Sequence, residues 1–135
     1  AVEKTCGSST FLVIRGKQGS ANETELIRRD ASGTTSLVDK PKEMQGYTAV
    51  GLGCATAKDG ASYAVVQYGE LPFGCKFCEW FYLYDLQGKQ LNTSDPPILS
   101  DANLPDGEGK TSNTRGYEEV IQRLGIVHPD MTLVR

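Results

Sequence analysis

Short runs of β-branched and apolar residues recur along the chain, and each run stops at a turn sequence. Thr10-Phe11-Leu12-Val13-Ile14-Arg15 is the first, closed by a glycine-containing loop from Gly16 to Ser20. Thr24 to Asp30 and Thr34 to Asp39 flank Asp30-Ala31-Ser32-Gly33, where glycine accepts the positive φ of a tight turn. Thr48 to Ala57 and Ala61 to Tyr68 flank Lys58-Asp59-Gly60, and Asp-Gly is a strong hairpin signal. Phe77 to Asp85 and Lys89 to Asn92 flank Leu86-Gln87-Gly88. Seven strands joined by short turns predict a mainly β fold, an antiparallel meander over residues 9–92.

The last third of the chain changes character. Tyr117, Val120, Ile121 and Leu124 stand at i, i+3, i+4 and i+7, which predicts a helix over 114–124 with its stripe on one sheet face. Asn113 or Thr114 can cap its first amides, Glu118 and Glu119 suit its positive end, and Gly125 suits the position after its last turn. Residues 93–113 form a polar Pro/Gly/Asp stretch without periodicity, and loops of that length are usually functional or disordered. Residues 125–135 follow as a tail, and no linker or repeat divides the chain, so 1–135 reads as one domain.

Composition adds exclusions. With 14 basic and 17 acidic residues the formal charge is −3, and no Lys/Arg cluster offers a nucleic-acid or anionic-membrane surface. No apolar run approaches the roughly 20 residues a membrane helix needs. The single histidine, His128, excludes catalysis or metal binding by several histidines.

The four cysteines, Cys6, Cys54, Cys75 and Cys78, suggest two disulfides and an oxidising compartment. Three pairings are possible, and Cys6–Cys54 with Cys75–Cys78 is favoured. The Cys75-Lys76-Phe77-Cys78 motif is also a candidate redox dithiol, although it runs into a predicted strand and not into a helix whose N-terminus would stabilise a thiolate. The start, Ala1-Val2-Glu3-Lys4, looks like a mature N-terminus after signal-peptide removal, which points to a periplasmic or secreted protein. Asn22 and Asn92 head glycosylation sequons.

Several reactive arrangements are weak. His128 lies in Val127-His128-Pro129 and no G-x-S-x-G elbow exists, so a serine triad is not expected. Glu70 and Glu79 bracket a hairpin, but no cleft for a glycosidase pair is expected in a meander this small. Ser100 to Glu108 is rich in oxygen ligands yet fails the calcium-loop register at Pro105 and Asp106. No catalytic set, metal site or cofactor is expected.

The aromatic hairpin is the most suggestive feature. On the strand Phe77–Asp85, one face carries Phe77, Glu79, Phe81 and Leu83, and the other Cys78, Trp80, Tyr82 and Tyr84. Either the strand is covered by the helix on one side and loops on the other, or part of the Trp/Tyr face is open for protein contact. The tip, Glu70-Leu71-Pro72-Phe73, stapled at its base by Cys75–Cys78, would be a rigid protrusion, and rigidity lowers the entropy cost of binding.

A small, oxidised, mostly β chain with such a hairpin and a polar loop resembles bacterial periplasmic inhibitors: immunity proteins against type VI secretion effectors that degrade peptidoglycan, and lysozyme inhibitors. The resemblance implies a protein partner, a secreted peptidoglycan hydrolase, whose active-site groove is occluded by a loop. The candidate contacts are Glu70, Leu71, Pro72 and Phe73 as the inserted tip, Trp80 and Tyr82 as flanking area, and Asp101, Asp106, Glu108, Ser112 and Asn113 in the polar loop. Two readings of other classes stay open: a carbohydrate or small-ligand module stacking on Trp80 and the tyrosines, and a thiol redox protein using Cys75 and Cys78.

Overall fold

The computed structural model describes residues 1–15, 23–71, 79–94 and 114–134, together with the backbone of 98–100 and 110–112. Three of the turns read from the sequence close in one way. Gly33, Gly60 and Gly88 stand at φ of 89°, 91° and 85°, the left-handed region that glycine enters without steric cost. Their N–H groups donate to the carbonyls of Asp30, Ala57 and Asp85 three residues earlier. Asp30 Oδ1 also accepts from the Ser32 and Thr34 N–H groups, and Asp85 Oδ1 from those of Gln87 and Lys89. Turn chemistry of this kind sets strand register locally.

The strands assemble into two antiparallel four-stranded sheets. The first holds β1 (Val2–Cys6), β2 (Ser9–Arg15), β3 (Thr24–Arg29) and β4 (Thr35–Val38) in sequence order. The second comprises β5 (Thr48–Thr56), β6 (Ser62–Gly69), β7 (Trp80–Tyr84) and β10 (Thr132–Leu133), in the order β10-β5-β6-β7. β8 (Ile98–Ser100) and β9 (Lys110–Ser112) pair as a ribbon inside the stretch read from the sequence as loop. The single meander therefore breaks after β4. Lys89–Asn92, expected as a strand, makes one bridge to β7, Tyr84↔Gln90, with two backbone bonds, Leu91 N–H to the Leu83 carbonyl and Asp85 N–H to the Lys89 carbonyl. β1 escaped the sequence reading because Val2 and Cys6 are buried while charged Glu3 and Lys4 stand between them.

The second sheet is the middle of three layers. Leu52, Ala64, Val66, Tyr68, Trp80, Tyr82 and Tyr84 face the first sheet, meeting Val2, Phe11, Val13 and Leu26. Ala55, Val65 and Leu83 face α1 (Arg115–Leu124), meeting Tyr117 and Val120, with Ile121 and Leu124 packed at the margin. The helix and its apolar stripe thus lie where the spacing places them, with Gly125 after the last turn at φ 69°. Burying that stripe, more than intrinsic propensity, stabilises so short a helix.

Three contacts lock the two sheets together. Cys6 in β1 and Cys54 in β5 form a disulfide, Cα to Cα 5.4 Å. At the other end of β5, Thr24 donates its N–H to Thr48 Oγ1 (2.8 Å) and its hydroxyl to the Ala49 carbonyl (2.6 Å). The 85–88 turn docks on the first sheet, its Leu86 carbonyl accepting from Ser9 Oγ and Arg28 Nε.

One close approach fixes the helix. A Cβ on Gly116 would sit 2.3 Å from the Thr93 carbonyl oxygen, a backbone atom that cannot step aside. Gly116→Ala is therefore expected to cost about 3 kcal/mol by overpacking, although alanine is the better helix former. Urea titration measures this, and a neutral result would mean that residues 91–94 shift freely.

Candidate functional site

The aromatic strand is the first place to look, and it is closed. β7 presents Trp80, Tyr82 and Tyr84 to the space between the sheets, where each is at most 1% exposed. Trp80 and Tyr82, expected as contact area, are therefore core residues. The alternation along β7 is as read from the sequence, but a second sheet, where loops were expected, covers that face. Tyr47 packs on Trp80 with centroids 4.5 Å apart, and Tyr68 meets Tyr82 edge-on at 5.4 Å. Their hydroxyls are satisfied inside: Tyr68 and Tyr84 share a hydrogen bond of 2.8 Å, and Tyr82 donates to Glu43 Oε1 at 2.8 Å. Burial raises the Tyr68, Tyr82 and Tyr84 hydroxyls well above the usual phenol range. No face of Trp80 remains for a sugar to stack on.

The connection between β6 and β7 begins at the candidate tip. Glu70 is exposed and Leu71 half-buried. Its two ends leave the sheet side by side, because Tyr68 is paired directly with Trp80 and both are buried. Pro72, Phe73, Cys75 and Cys78 lie outside the described residues, as do Asn22, Asp101, Asp106, Glu108 and Asn113. Ser112 is placed by its backbone in β9.

The edges of the sheets differ. β7 is sealed by the segment after it. Besides the Leu91–Leu83 bond, the Asn92 side chain accepts from the Leu83 N–H (2.7 Å) and donates to the Phe81 carbonyl (3.1 Å), imitating a further strand. Asn92 is 7% exposed, which removes its sequon from an enzyme's reach in the folded chain. Asn92→Ala leaves both backbone groups unsatisfied. It is expected to cost about 2–4 kcal/mol, read by chemical denaturation, and a loss below about 1 kcal/mol would contradict this role.

Among the described residues, β4 has no such cover. Thr35, Ser36 and Leu37 are exposed, Leu37 at 59%, and β4 ends the first sheet. Beside it lies a cleft of about 560 Å³, lined by Ser36 and Val38 of β4, by Asp39, Lys40 and Lys42 after it, and by Tyr84, Gln87 and Gln90. No cleft was expected from the sequence. This one forms because the 39–47 connection crosses between the sheets, dropping Met44 into the core while Lys42 stays in solvent. The local sequence signal is faint: an uncharged Thr35-Ser36-Leu37-Val38 strand followed at once by Asp39-Lys40.

His128 belongs to the helix layer. Its Nδ1 shares a 2.6 Å hydrogen bond with the Tyr117 hydroxyl, and Phe81 packs against its ring at 4.6 Å. Burial pushes the Tyr117 hydroxyl up to about 12. Among the described residues, no three His, Cys, Asp or Glu side chains gather to hold a metal, and no helix is long and apolar enough to cross a membrane. No protein-family model matches the chain, and no curated protein or solved structure does.

Proposed function

We propose that this protein is a non-enzymatic binding protein of an oxidising compartment, periplasmic or secreted, that occludes the active site of a secreted peptidoglycan hydrolase as an inhibitor or immunity protein does. The observation that carries the reading is the base of the 70–79 connection. Tyr68 and Trp80 hold its two ends in register from inside the core, so Glu70 and Leu71 start from a fixed platform. A connection anchored at both ends gives up less conformational entropy on insertion than a free segment does. The net charge of −3 suits a basic hydrolase, since opposite fields speed encounter. The Cys6–Cys54 disulfide accords with the compartment. The platform carries the reading without the Trp80 and Tyr82 contacts that the sequence suggested.

The test is inhibition of a panel of secreted peptidoglycan hydrolases by the purified protein. Stoichiometric inhibition of at least one is expected. Leu71→Asp and Phe73→Asp should each then weaken it roughly a hundredfold, the size of a hot-spot loss. Inhibition untouched by both variants would remove the tip from the account, and turnover of any substrate by the protein itself would end the reading.

A further inference from the structure

We propose that the edge of β4, unpaired among the described residues, and the cleft beside it form a β-augmentation site, which takes an extended, acidic segment of another protein as a fifth strand of the first sheet. The proposal stands apart from the Glu70–Phe73 tip and does not depend on it.

Register identifies the open groups. The 30–34 turn is closed by the Asp30 N–H to the Thr34 carbonyl and the Gly33 N–H to the Asp30 carbonyl. Hydrogen-bonded and non-bonded pairs alternate from there, so Arg28↔Ser36 and Leu26↔Val38 are the bonded pairs. The N–H and C=O of Thr35 and Leu37 then point away from β3, and they have no partner among the described residues. The other edges of the two four-stranded sheets are sealed, charged or short among the described residues. β7 is sealed by Leu91 and Asn92, β1 carries Glu3 and Lys4 along its edge, and β10 is two residues long. A strand edge without charge, proline or bulge along its length is a ready template for another chain.

The side-chain environment selects what that chain carries. An added strand alternates like β4, so the residues that follow Ser36 and Val38 enter the cleft. There the two ammonium groups of Lys40 and Lys42 outnumber the Asp39 carboxylate, Lys40 donating also to the Tyr47 carbonyl (2.8 Å), and with the Gln87 and Gln90 amides they favour a carboxylate. The residues that follow Leu37 lie on the outer face, where Leu12, Ile27 and Leu37 form one cross-strand row that an apolar side chain would extend. The expected segment therefore alternates acidic and apolar residues. A second copy of this chain fits less well, because its own β4 would place Ser36 in the cleft, and four residues bury too little for a stable dimer.

The probe is a displayed library of random ten-residue peptides panned on the intact protein, followed by titration of a synthetic consensus peptide. Enrichment of alternating acidic and apolar sequences is expected. Leu37→Pro removes one outward N–H while leaving the bonds to β3, and it should weaken the peptide at least about tenfold without a large fall in melting temperature. Should that variant fail to fold, the same loss is expected when the wild-type protein meets the peptide N-methylated on alternate amides. Lys40→Glu with Lys42→Glu should weaken it by a similar factor. An unenriched library, binding indifferent to Leu37→Pro and to N-methylation, or self-association abolished by Leu37→Pro would each overturn the proposal.

Discussion

Replacing Cys6 and Cys54 together by alanine is expected to lower the unfolding free energy by about 4 kcal/mol. The bridge joins residues 48 apart, and closing a loop of that length removes roughly this much entropy from the unfolded chain. The native side adds to the loss, since Cys6 is 2% exposed and packs in the core between the sheets. A 14.6 kDa domain has on the order of 5–15 kcal/mol in total, so the variant should be close to the limit of folding at 37 °C. Guanidinium denaturation of the double variant measures the loss without disturbing Cys75 and Cys78. A midpoint unchanged from wild type would mean that the sheets hold each other without the bridge.

Raising the pH should unfold the protein cooperatively above about pH 10, and tyrosinate from four buried tyrosines should appear only with unfolding. Of six tyrosines, Tyr68, Tyr82, Tyr84 and Tyr117 have hydroxyls raised by burial, Tyr117 to about 12. A group with a raised folded pKa contributes stability that is fully present below its unfolded value, near 10, and is lost as pH climbs through the folded value. Four such groups act in the same direction over the same window. Absorbance at 295 nm followed beside circular dichroism is the measurement. Early tyrosinate from these four, with the β signal intact, would show that the aromatic core is wet. Since Trp80 lies among them, its fluorescence should report the same midpoint.

How much was legible varies by element. The Asp30–Gly33, Lys58–Gly60 and Leu86–Gly88 turns were readable because a positive φ and an aspartate-accepted turn are decided within five residues. The helix was readable because four apolar residues at helical spacing have one efficient burial. β10 was not, since Thr132–Leu133 is too short for a pattern. Its real signal lies in β5, where a Cβ on Gly51 or Gly53 would strike Leu133 or the Asp130 carbonyl. At the candidate sites, the base of the 70–79 connection followed from hairpin pairing, whereas the β4 cleft depends on how the 39–47 segment crosses between layers.

Residue order alone determined much of the local geometry: the extended runs of β2 to β7, the tight turns between them, the helix, and which side chains share a face of each strand. It could not decide what each face meets. Alternation places Trp80, Tyr82 and Tyr84 together but is silent on whether water, loops or another sheet lies opposite, because that burial is supplied by residues some seventy positions away in β1 and β2. The same holds for the edges. Whether a strand's outward N–H groups are paired depends on a later segment arriving beside it, as Asn92 does for β7 and nothing among the described residues does for β4.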